Sequence, residues 1–143
     1  MLGRELMLIG RHDEAVRELS AFIAAEAHAE NRLPAWMLLA ESGDELAGHV
    51  AFRPAAAAYL RPSDEPGLAH FWQLFVRPRW HGTGLARRLH EEAVRAAAER
   101  GHTAMRLFVV EGQARARRFY EREGWTAAGP AFDSEFGLPL LEY

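Results

Sequence analysis

The chain has 143 residues, of which 49% are hydrophobic and 26% are charged, and its formal net charge is −3. This length and composition predict one soluble domain over residues 1–143, with a single hydrophobic core. The slight negative charge argues against general nucleic-acid binding, and no apolar run is long enough to span a membrane.

Further features of the composition narrow the protein class. Cysteine does not occur, which excludes disulfides, cysteine metal sites and a thiol nucleophile. Met1–Gly10 lacks the charged start and the cleavage site of a signal peptide, so we expect a cytoplasmic protein. Lysine does not occur either, and alanine is abundant, a bias typical of the GC-rich genomes of bacteria.

The first half of the chain predicts short strands and one helix. In chain order, the predicted elements are a strand (Glu5–Ile9), an amphipathic helix from Asp13 to about Ala29, a strand (Ala35–Ala40), a turn (Ser42-Gly43-Asp44), a hairpin partner strand (Leu46–Phe52) and a loop (Pro54 to Gly67). The helix is predicted from the helical spacing of its apolar residues, which are Val16, Leu19, Phe22, Ile23 and Ala27.

The second half alternates strands and helices. In chain order, the predicted elements are a strand (His70–Val76) ended by Pro78, a loop (Arg79–Gly84), a helix (about Leu85 to Arg100), a strand (Ala104–Val110), a short helix (Gln113–Glu123) and two final strands (Trp125–Ala128 and Gly137–Tyr143). The inner face of the long helix is predicted to hold Leu85, Leu89, Ala93, Val94 and Ala97.

The order strand, helix, strand from His70 to Val110 predicts a parallel pair with a right-handed crossover. The strands before this unit are expected to be antiparallel. Together they favour an α/β fold with one mixed sheet and helices on both of its faces.

The loop before the long helix has the composition of a phosphate site. Gly82 and Gly84 allow a tight turn and a close approach of backbone N–H groups to a ligand. The helix start adds unpaired N–H groups and a partial positive charge, and Arg79, Arg87 and Arg88 add charge suited to phosphates. The alternative interpretation is a glycine-containing turn with solvated arginines, and this segment alone leaves both open.

Other ligand loops fit this segment less well. A dinucleotide-binding loop requires a third glycine at position 87, which is Arg87 here, and a nucleoside triphosphate loop requires a lysine. His81 has no spaced partner of the kind that indicates a metal site, so no metal is expected.

Two motifs in register resemble the GNAT superfamily of N-acetyltransferases. Arg79-x-x-Gly82-x-Gly84, after Leu74-Phe75-Val76, is similar to the coenzyme A loop of that family. Phe119-Tyr120-Glu121-x-x-Gly124-Trp125 is similar to its tyrosine motif, and the order and spacing hold from about Ala35 to Trp125. The resemblance implies the GNAT fold, acetyl-CoA as the acyl donor, and direct transfer of the acetyl group to an amine in a ternary complex.

The resemblance also implies a set of coenzyme A contacts. Leu74 and Val76 would pair through their backbone with the pantetheine arm, and Gln113 stands where the family usually has an asparagine that contacts this arm. The coenzyme-binding residues implied in this way are Leu74, Phe75, Val76, Arg79, His81, Gly82, Thr83, Gly84, Leu85, Ala86, Arg87 and Gln113.

Two side chains are implied as catalytic. Tyr120 matches a tyrosine near the coenzyme sulfur, and a phenol that titrates near pH ~10 can donate a proton to a departing thiolate. His70 stands where many members have a glutamate base, and an imidazole that titrates near ~6.5 can accept the proton of the amine. His49 is a lesser candidate for the base. Ring packing for Tyr120 and a structural hydrogen bond for His70 are the alternatives.

By the same resemblance, the acceptor groove is lined by the segment after the first helix and by the loop between the last two strands. These segments hold Glu26, Glu30, Asp133 and Glu135, with Phe132 and Phe136 interleaved. Carboxylates and aromatic faces favour a cationic acceptor, and Asp133 and Glu135 are the predicted substrate-binding residues.

The identity of the acceptor stays open between small-molecule amines and the amines of peptides or proteins. The alternative function is a coenzyme A-binding sensor or interaction module without catalysis. The apolar final strand would suit a homodimer interface.

Overall fold

The computed structural model describes residues 4–9, 14–21, 35–135 and 137–143, and for 4–9 and 14–21 it describes the backbone alone. The chain divides into two compact units, Met1–Met105 and Arg106–Tyr143. The elements are, in chain order, β1 (Arg4–Ile9), β2 (Glu14–Ala21), β3 (Ala35–Ser42), β4 (Glu45–Pro54), β5 (Leu68–Val76), α1 (Leu85–Glu99), β6 (Ala104–Val110), α2 (Ala114–Arg122), β7 (Phe132–Asp133) and β8 (Pro139–Glu142). The single domain over residues 1–143 stays a prediction. None of the helices that the structure describes is long and apolar enough to cross a membrane.

The first unit is built on the strands β1-β2-β3-β4-β5, in that order, and each described pairing among them is antiparallel. The predicted hairpin between β3 and β4 is confirmed, and Gly43 takes a φ of +59° in its turn. Leu38 pairs with Val50, which in turn pairs with Leu74. Three apolar side chains therefore lie side by side on one face of the sheet.

The helix predicted from Asp13 to about Ala29 is wrong over Glu14–Ala21, which form β2. Val16 of β2 pairs with Met7 of β1 on one side and with Ala40 of β3 on the other. Hydrogen bonding to two neighbouring strands satisfies the backbone and outweighs a weak helical spacing of apolar residues. The remainder of the predicted helix lies outside the described residues.

The helix α1 packs on the sheet of the first unit through a continuous stripe. Its buried residues are Leu85, Leu89, His90, Ala93, Ala96 and Ala97. Val94, predicted on the inner face, is 41% exposed instead, because it lies about 140° around the helix from Leu89. A Cβ on Gly48 would lie 3.2 Å from Leu89 Cδ1, so Gly48 marks the face of β4 that α1 covers.

Aromatic side chains fill the core on this face. Phe52 is fully buried and stacks on its strand partner Trp36, with ring centroids 5.3 Å apart. Phe71 of β5 lies 5.8 Å from the ring of His90 on α1. Burial of this apolar surface is the main force that holds helix and sheet together.

A β-bulge interrupts β5 at Trp72. Ala51 pairs with Gln73 and Phe52 pairs with Phe71, so Trp72 has no partner on β4. An extra residue of this kind bends the strand and re-aims its side chain. The Trp72 ring lies 3.6 Å from Cζ of Arg53, which stands over it.

The second unit pairs β6, β8 and β7 in that order, and both pairings are antiparallel. Leu107 and Tyr143 exchange backbone hydrogen bonds of 3.0 Å just beyond the end of β8. Phe108 of β6 meets the ring of Phe132 edge to face, at 5.1 Å.

The strand predicted over Trp125–Ala128 is wrong, since these residues form no strand. The Trp125 N–H donates to the carbonyl of Tyr120 at 3.0 Å, which closes the end of α2 rather than starting a sheet pairing. The short β7, at Phe132–Asp133, pairs with β8 in its place.

Candidate active site

The loop between β5 and α1 owes its shape to two glycines. Gly82 and Gly84 have φ values of +77° and +85°, a left-handed region that side chains disfavour. A Cβ built at either position meets no atom within 4 Å. The glycines are therefore required by the backbone conformation, and open space lies beside both of them.

The backbone of residues 81–86, which we call the cradle, presents N–H groups without protein partners. α1 begins at Leu85, and its N-cap, Gly84, makes no side-chain capping bond. Within the described chain, the N–H groups that have no hydrogen-bond partner include those of Gly82, Gly84 and Ala86. A helix start with such donors and a partial positive charge can bind phosphate oxygens.

Two side chains of the cradle residues stabilise its conformation through hydrogen bonds to backbone carbonyls. The Thr83 hydroxyl donates to the carbonyl of Trp80 at 2.6 Å. Nε2 of His81 lies 2.9 Å from the carbonyl oxygen of Val76 and donates to it, since a carbonyl can only accept. The His81 ring therefore ties the cradle to the end of β5. Among the described residues, no group of three His, Asp or Glu side chains could hold a metal ion.

The arginines around the cradle are exposed, and each is paired with a carboxylate. Arg79 Nη2 lies 2.7 Å from Glu45 Oε2, and Arg87 Nε lies 3.0 Å from Glu91 Oε1. Exposed pairs of this kind contribute at most about 1 kcal/mol, so an anion can compete for either arginine. Sequence reasoning missed Glu45, because only the β3–β4 hairpin brings it beside the loop.

The end of β5 directs two backbone positions away from β4. Arg77 N–H donates to the Ala47 carbonyl at 2.9 Å, and Val76 pairs with Gly48. Because the hydrogen-bonding direction alternates along an antiparallel strand, the N–H groups of Val76 and Leu74 point to the opposite edge. This orientation is the one needed for the backbone contacts predicted for Leu74 and Val76.

The Phe75 side chain lies on the sheet face opposite to α1. It pairs with His49, which follows Gly48 and therefore points to the other face. The Phe75 and His49 rings are 5.6 Å apart, and Phe75 is 47% exposed. An exposed phenylalanine beside the cradle is available to a ligand.

His70 is buried on this same face, near the start of β5. Its side chain is 7% exposed, and its strand partner is Arg53 of β4. The structure thus brings the predicted base beside Arg53, which stands over the Trp72 ring, and sequence reasoning missed both residues. The sequence signal that could have found Arg53 is its position directly after the apolar residues of the predicted strand Leu46–Phe52.

Tyr120 lies in α2 of the second unit, within an aromatic cluster. Its half-buried ring meets Phe119 at 5.2 Å and Trp125 at 6.1 Å, both edge to face. Burial raises the pKa of Tyr120 from 10.0 to about 12. The phenol is therefore protonated at neutral pH and able to donate.

Gln113, Asp133 and Glu135 also lie in the second unit, and all three are exposed. Gln113 is the N-cap of α2 and makes no side-chain capping bond. Asp133 belongs to β7, and the loop after it is held by a bond of 2.7 Å from the Ser134 hydroxyl to the Leu138 carbonyl. Glu26, Glu30 and Phe136 lie outside the described residues.

Several solved structures have a fold similar to that of this chain. A protein from Desulfovibrio desulfuricans assigned to the GNAT family has a TM-score of 0.67 at 22% identity, over 84% of this chain and 74% of that one. Ribosomal-protein-alanine N-acetyltransferase of Brucella melitensis has a TM-score of 0.62 at 22% identity, over 83% of this chain and 72% of that one. PaiA N-acetyltransferase of Thermoplasma acidophilum, solved in complex with coenzyme A, has a TM-score of 0.58 at 18% identity, over 76% of this chain and 59% of that one.

These likenesses confirm the predicted α/β fold. No curated protein matches the chain. The model of the Acetyltransferase (GNAT) family matches residues 4–125, most of the chain. The chain therefore belongs to the GNAT acetyltransferase family.

Proposed function

We propose that this chain transfers an acetyl group from acetyl-CoA to an amine. The cradle is the observation that carries the proposal, because its N–H donors have no partner in the described chain and its glycines leave open space beside them. Membership of the GNAT family supports the same reaction class. The PaiA structure, which holds coenzyme A, supports coenzyme A as the ligand class.

The residues of the cradle fit a pyrophosphate. Its oxygens need several donors close together, which the N–H groups of Gly82, Gly84 and Ala86 supply. Arg79 and Arg87 supply charge from the rim, and their exposed carboxylate pairs are weak enough to be exchanged. Leu74 and Val76 would hold the pantetheine arm through the backbone groups that they direct away from β4.

Acetyl-CoA, when bound, supplies a thioester, an activated acyl group. The role of the protein is then to position the amine, to polarise the acyl carbonyl and to move two protons, one from the ammonium group and one to the leaving thiolate. The N–H of Val76 is the proposed donor to the carbonyl, an oxyanion-type contribution. Holding both reactants in place is expected to supply much of the remaining acceleration.

His70 is the proposed general base. An amine attacks only after it loses the proton of its ammonium form, and a neutral imidazole can accept that proton on a ring nitrogen. The position of His70 within a buried face keeps water away from the ring. His49, on the same face and less buried, is the alternative base.

Tyr120 is the proposed general acid. Its hydroxyl oxygen, Oη, holds the proton that a leaving thiolate needs. Because burial raises the pKa of Tyr120 to about 12, this proton is retained over the physiological pH range. The neighbouring rings of Phe119 and Trp125 orient the phenol.

The acceptor is proposed to be an amine in its cationic form before transfer. Asp133, at the end of β7, and Glu135, in the loop after it, are exposed carboxylates, and carboxylates attract an ammonium group. One structural relative acts on the alanine of a ribosomal protein, according to its name. This supports an acceptor amine adjacent to an α-carbon, in a small molecule or a chain terminus.

Two glycine variants test the cradle. Gly82→Val is expected to weaken acetyl-CoA binding about ten- to a hundredfold, because one or two charge-assisted hydrogen bonds are lost. Gly101→Val is the matched control: Gly101 has a φ of +88°, and a Cβ there also meets no atom within 4 Å. It lies at the far end of α1, about 22 Å from the cradle.

Both variants place a side chain on strained backbone, so similar losses of Tm are expected. Isothermal calorimetry with acetyl-CoA then separates them. Equal affinities for Gly82→Val, Gly101→Val and the parent chain would remove the cradle from the binding site.

A further inference from the structure

Arg53, near the end of β4, is a buried cation. Its side chain is 7% exposed, and within the part of the chain that the structure describes it has no carboxylate partner. One hydrogen bond satisfies it, from Nη1 to the Ala57 carbonyl at 3.2 Å. Its Nε is buried and has no hydrogen-bond partner among the described residues. A guanidinium has five donors, so most of its donors have no partner in the part of the chain that is described.

Burial of the Arg53 guanidinium destabilises the fold unless a ligand supplies a counter-charge. Removing a charge from water without a counter-ion carries a large desolvation penalty. Burial lowers the pKa of Arg53, yet an arginine stays charged at neutral pH. The Trp72 ring, 3.6 Å from Cζ, offsets part of the penalty through a cation–π contact. A bound anion would supply the missing charge and the missing acceptors.

The surroundings of Arg53 identify which anion fits. A single cation matches a monoanion better than a dianionic phosphate, and a planar guanidinium binds a carboxylate through two parallel bonds. The strand partner of Arg53 is His70, the proposed base, and the two lie on the face away from α1. Directly paired residues have their Cβ atoms about 4.5–5.5 Å apart.

We infer that Arg53 binds a carboxylate of the acceptor, so that the acceptor is a free amino acid or a closely similar α-amino carboxylate. In such a molecule one carbon separates the amine from the carboxylate. A carboxylate held on Arg53 therefore keeps the amine within reach of the neighbouring His70. The inference deepens the proposed function and rests on it for the identity of the reacting amine.

Binding to Arg53 is tested without turnover by nuclear magnetic resonance. The Nε–H resonance of Arg53 is assigned by its loss in Arg53→Lys. The twenty N-acetylamino acids and their carboxamides are then titrated into the full chain with coenzyme A present. We expect at least one N-acetylamino acid to shift this resonance to saturation, while its carboxamide does not. No shift with any of the twenty, or equal shifts with acid and carboxamide, would overturn the inference.

The kinetic arm compares each amino acid with its carboxamide by thiol release from acetyl-CoA. For the preferred amino acid, kcat/KM is expected to exceed that of the carboxamide about ten- to a hundredfold. In Arg53→Met this ratio is expected to fall to about one. Arg106→Met, which removes an arginine of β6 that is 8% exposed, is the matched control for the loss of a buried arginine, and should keep the ratio.

The two arms separate the inference from the proposed function. Acetylation of carboxamides as fast as of amino acids would overturn the role of Arg53 and leave acetyl transfer to amines standing. If no amine is acetylated at all, the proposed function fails, and the resonance of Arg53 still decides whether a carboxylate binds there.

Discussion

The cradle and the buried face around His70 lie in the same unit but are built in different ways. The cradle consists of consecutive residues and offers backbone N–H groups, with its arginines exposed and neutralised by carboxylates. The buried face joins side chains from two strands and holds an arginine that no carboxylate of the described residues neutralises. The difference suggests two separate roles, in which backbone groups bind acetyl-CoA and side chains bind and deprotonate the acceptor amine.

The division predicts which constant each variant changes. Variants on the buried face should lower kcat or, at Arg53, kcat/KM for the acceptor, and should leave the affinity for acetyl-CoA unchanged. Variants of the cradle should weaken acetyl-CoA binding and leave the saturated rate nearly unchanged.

The largest effect is expected for His70→Gln. Loss of a general base lowers kcat about a hundred- to ten-thousandfold, and the acidic limb of the pH–rate profile should flatten. The Kd for acetyl-CoA, measured by calorimetry, should stay at its parent value. His49→Gln, on the same face, serves as the comparison.

Two results would contradict this assignment. If the acidic limb survives in His70→Gln and disappears in His49→Gln, the base is His49. If it survives in both, the proton leaves through water, and the buried face does not supply the base.

A smaller loss of kcat, about ten- to a thousandfold, is expected for Tyr120→Phe. The substitution removes only the hydroxyl, so the fold and the Kd for acetyl-CoA should be retained. The rate must be measured under conditions where acyl transfer limits turnover. An unchanged kcat there would reduce Tyr120 to a packing role.

The raised pKa of Tyr120 can be tested separately, by following the ionisation of its phenol as the pH rises. Folding raises the pKa from 10.0 to about 12, so the unfolded chain loses this proton first as the pH rises. The corresponding stability is present below pH 10.0 and is lost between 10.0 and about 12. The phenolate absorbance of the parent chain minus that of Tyr120→Phe should therefore rise mainly above the pKa of a free tyrosine.

The smallest effects are expected at the rim of the cradle. Arg79→Gln should weaken acetyl-CoA binding about two- to fivefold at low salt and less at high salt. Glu45→Gln should strengthen binding slightly, because it frees Arg79 from its partner. Arg95→Gln, which breaks the ion pairs of Arg95 with Glu92 and Glu99 further along α1, is the control for loss of an arginine away from the cradle. Equal weakening in Arg79→Gln and Arg95→Gln would show a general charge effect rather than a contact.

Local features of the sequence predicted most of the fold and the glycine-containing turn before α1. Gly82 and Gly84 in the loop, and the apolar stripe of α1, depend on neighbours in the chain and can be interpreted without the sheet. The exposed Val94 was the exception, since a stripe of alanines leaves the centre of the buried face poorly defined.

Apart from the β3–β4 hairpin, what depended on strand pairing could not be predicted. The pairing of β2 with two neighbours overrode a helical spacing, and the bulge that places Trp72 against Arg53 leaves no mark in the sequence. The partner of Arg79 was missed for the same reason, since Glu45 belongs to a different strand. The contacts between side chains of different strands were therefore the part of the site that only the structure revealed.

The central claim is tested most directly by counting thiol and N-acetylated product together. The chain has neither cysteine nor lysine, so every thiol that appears is free coenzyme A, and acetylation of the protein's own side-chain amines cannot compete. With acetyl-CoA and a panel of amino acids, carboxamides and simple amines, we predict equal amounts of thiol and acetylated amine, at a rate that saturates in both substrates. Tight binding of acetyl-CoA with no thiol release above hydrolysis, for every amine, would contradict the account and identify a coenzyme A-binding module without catalysis.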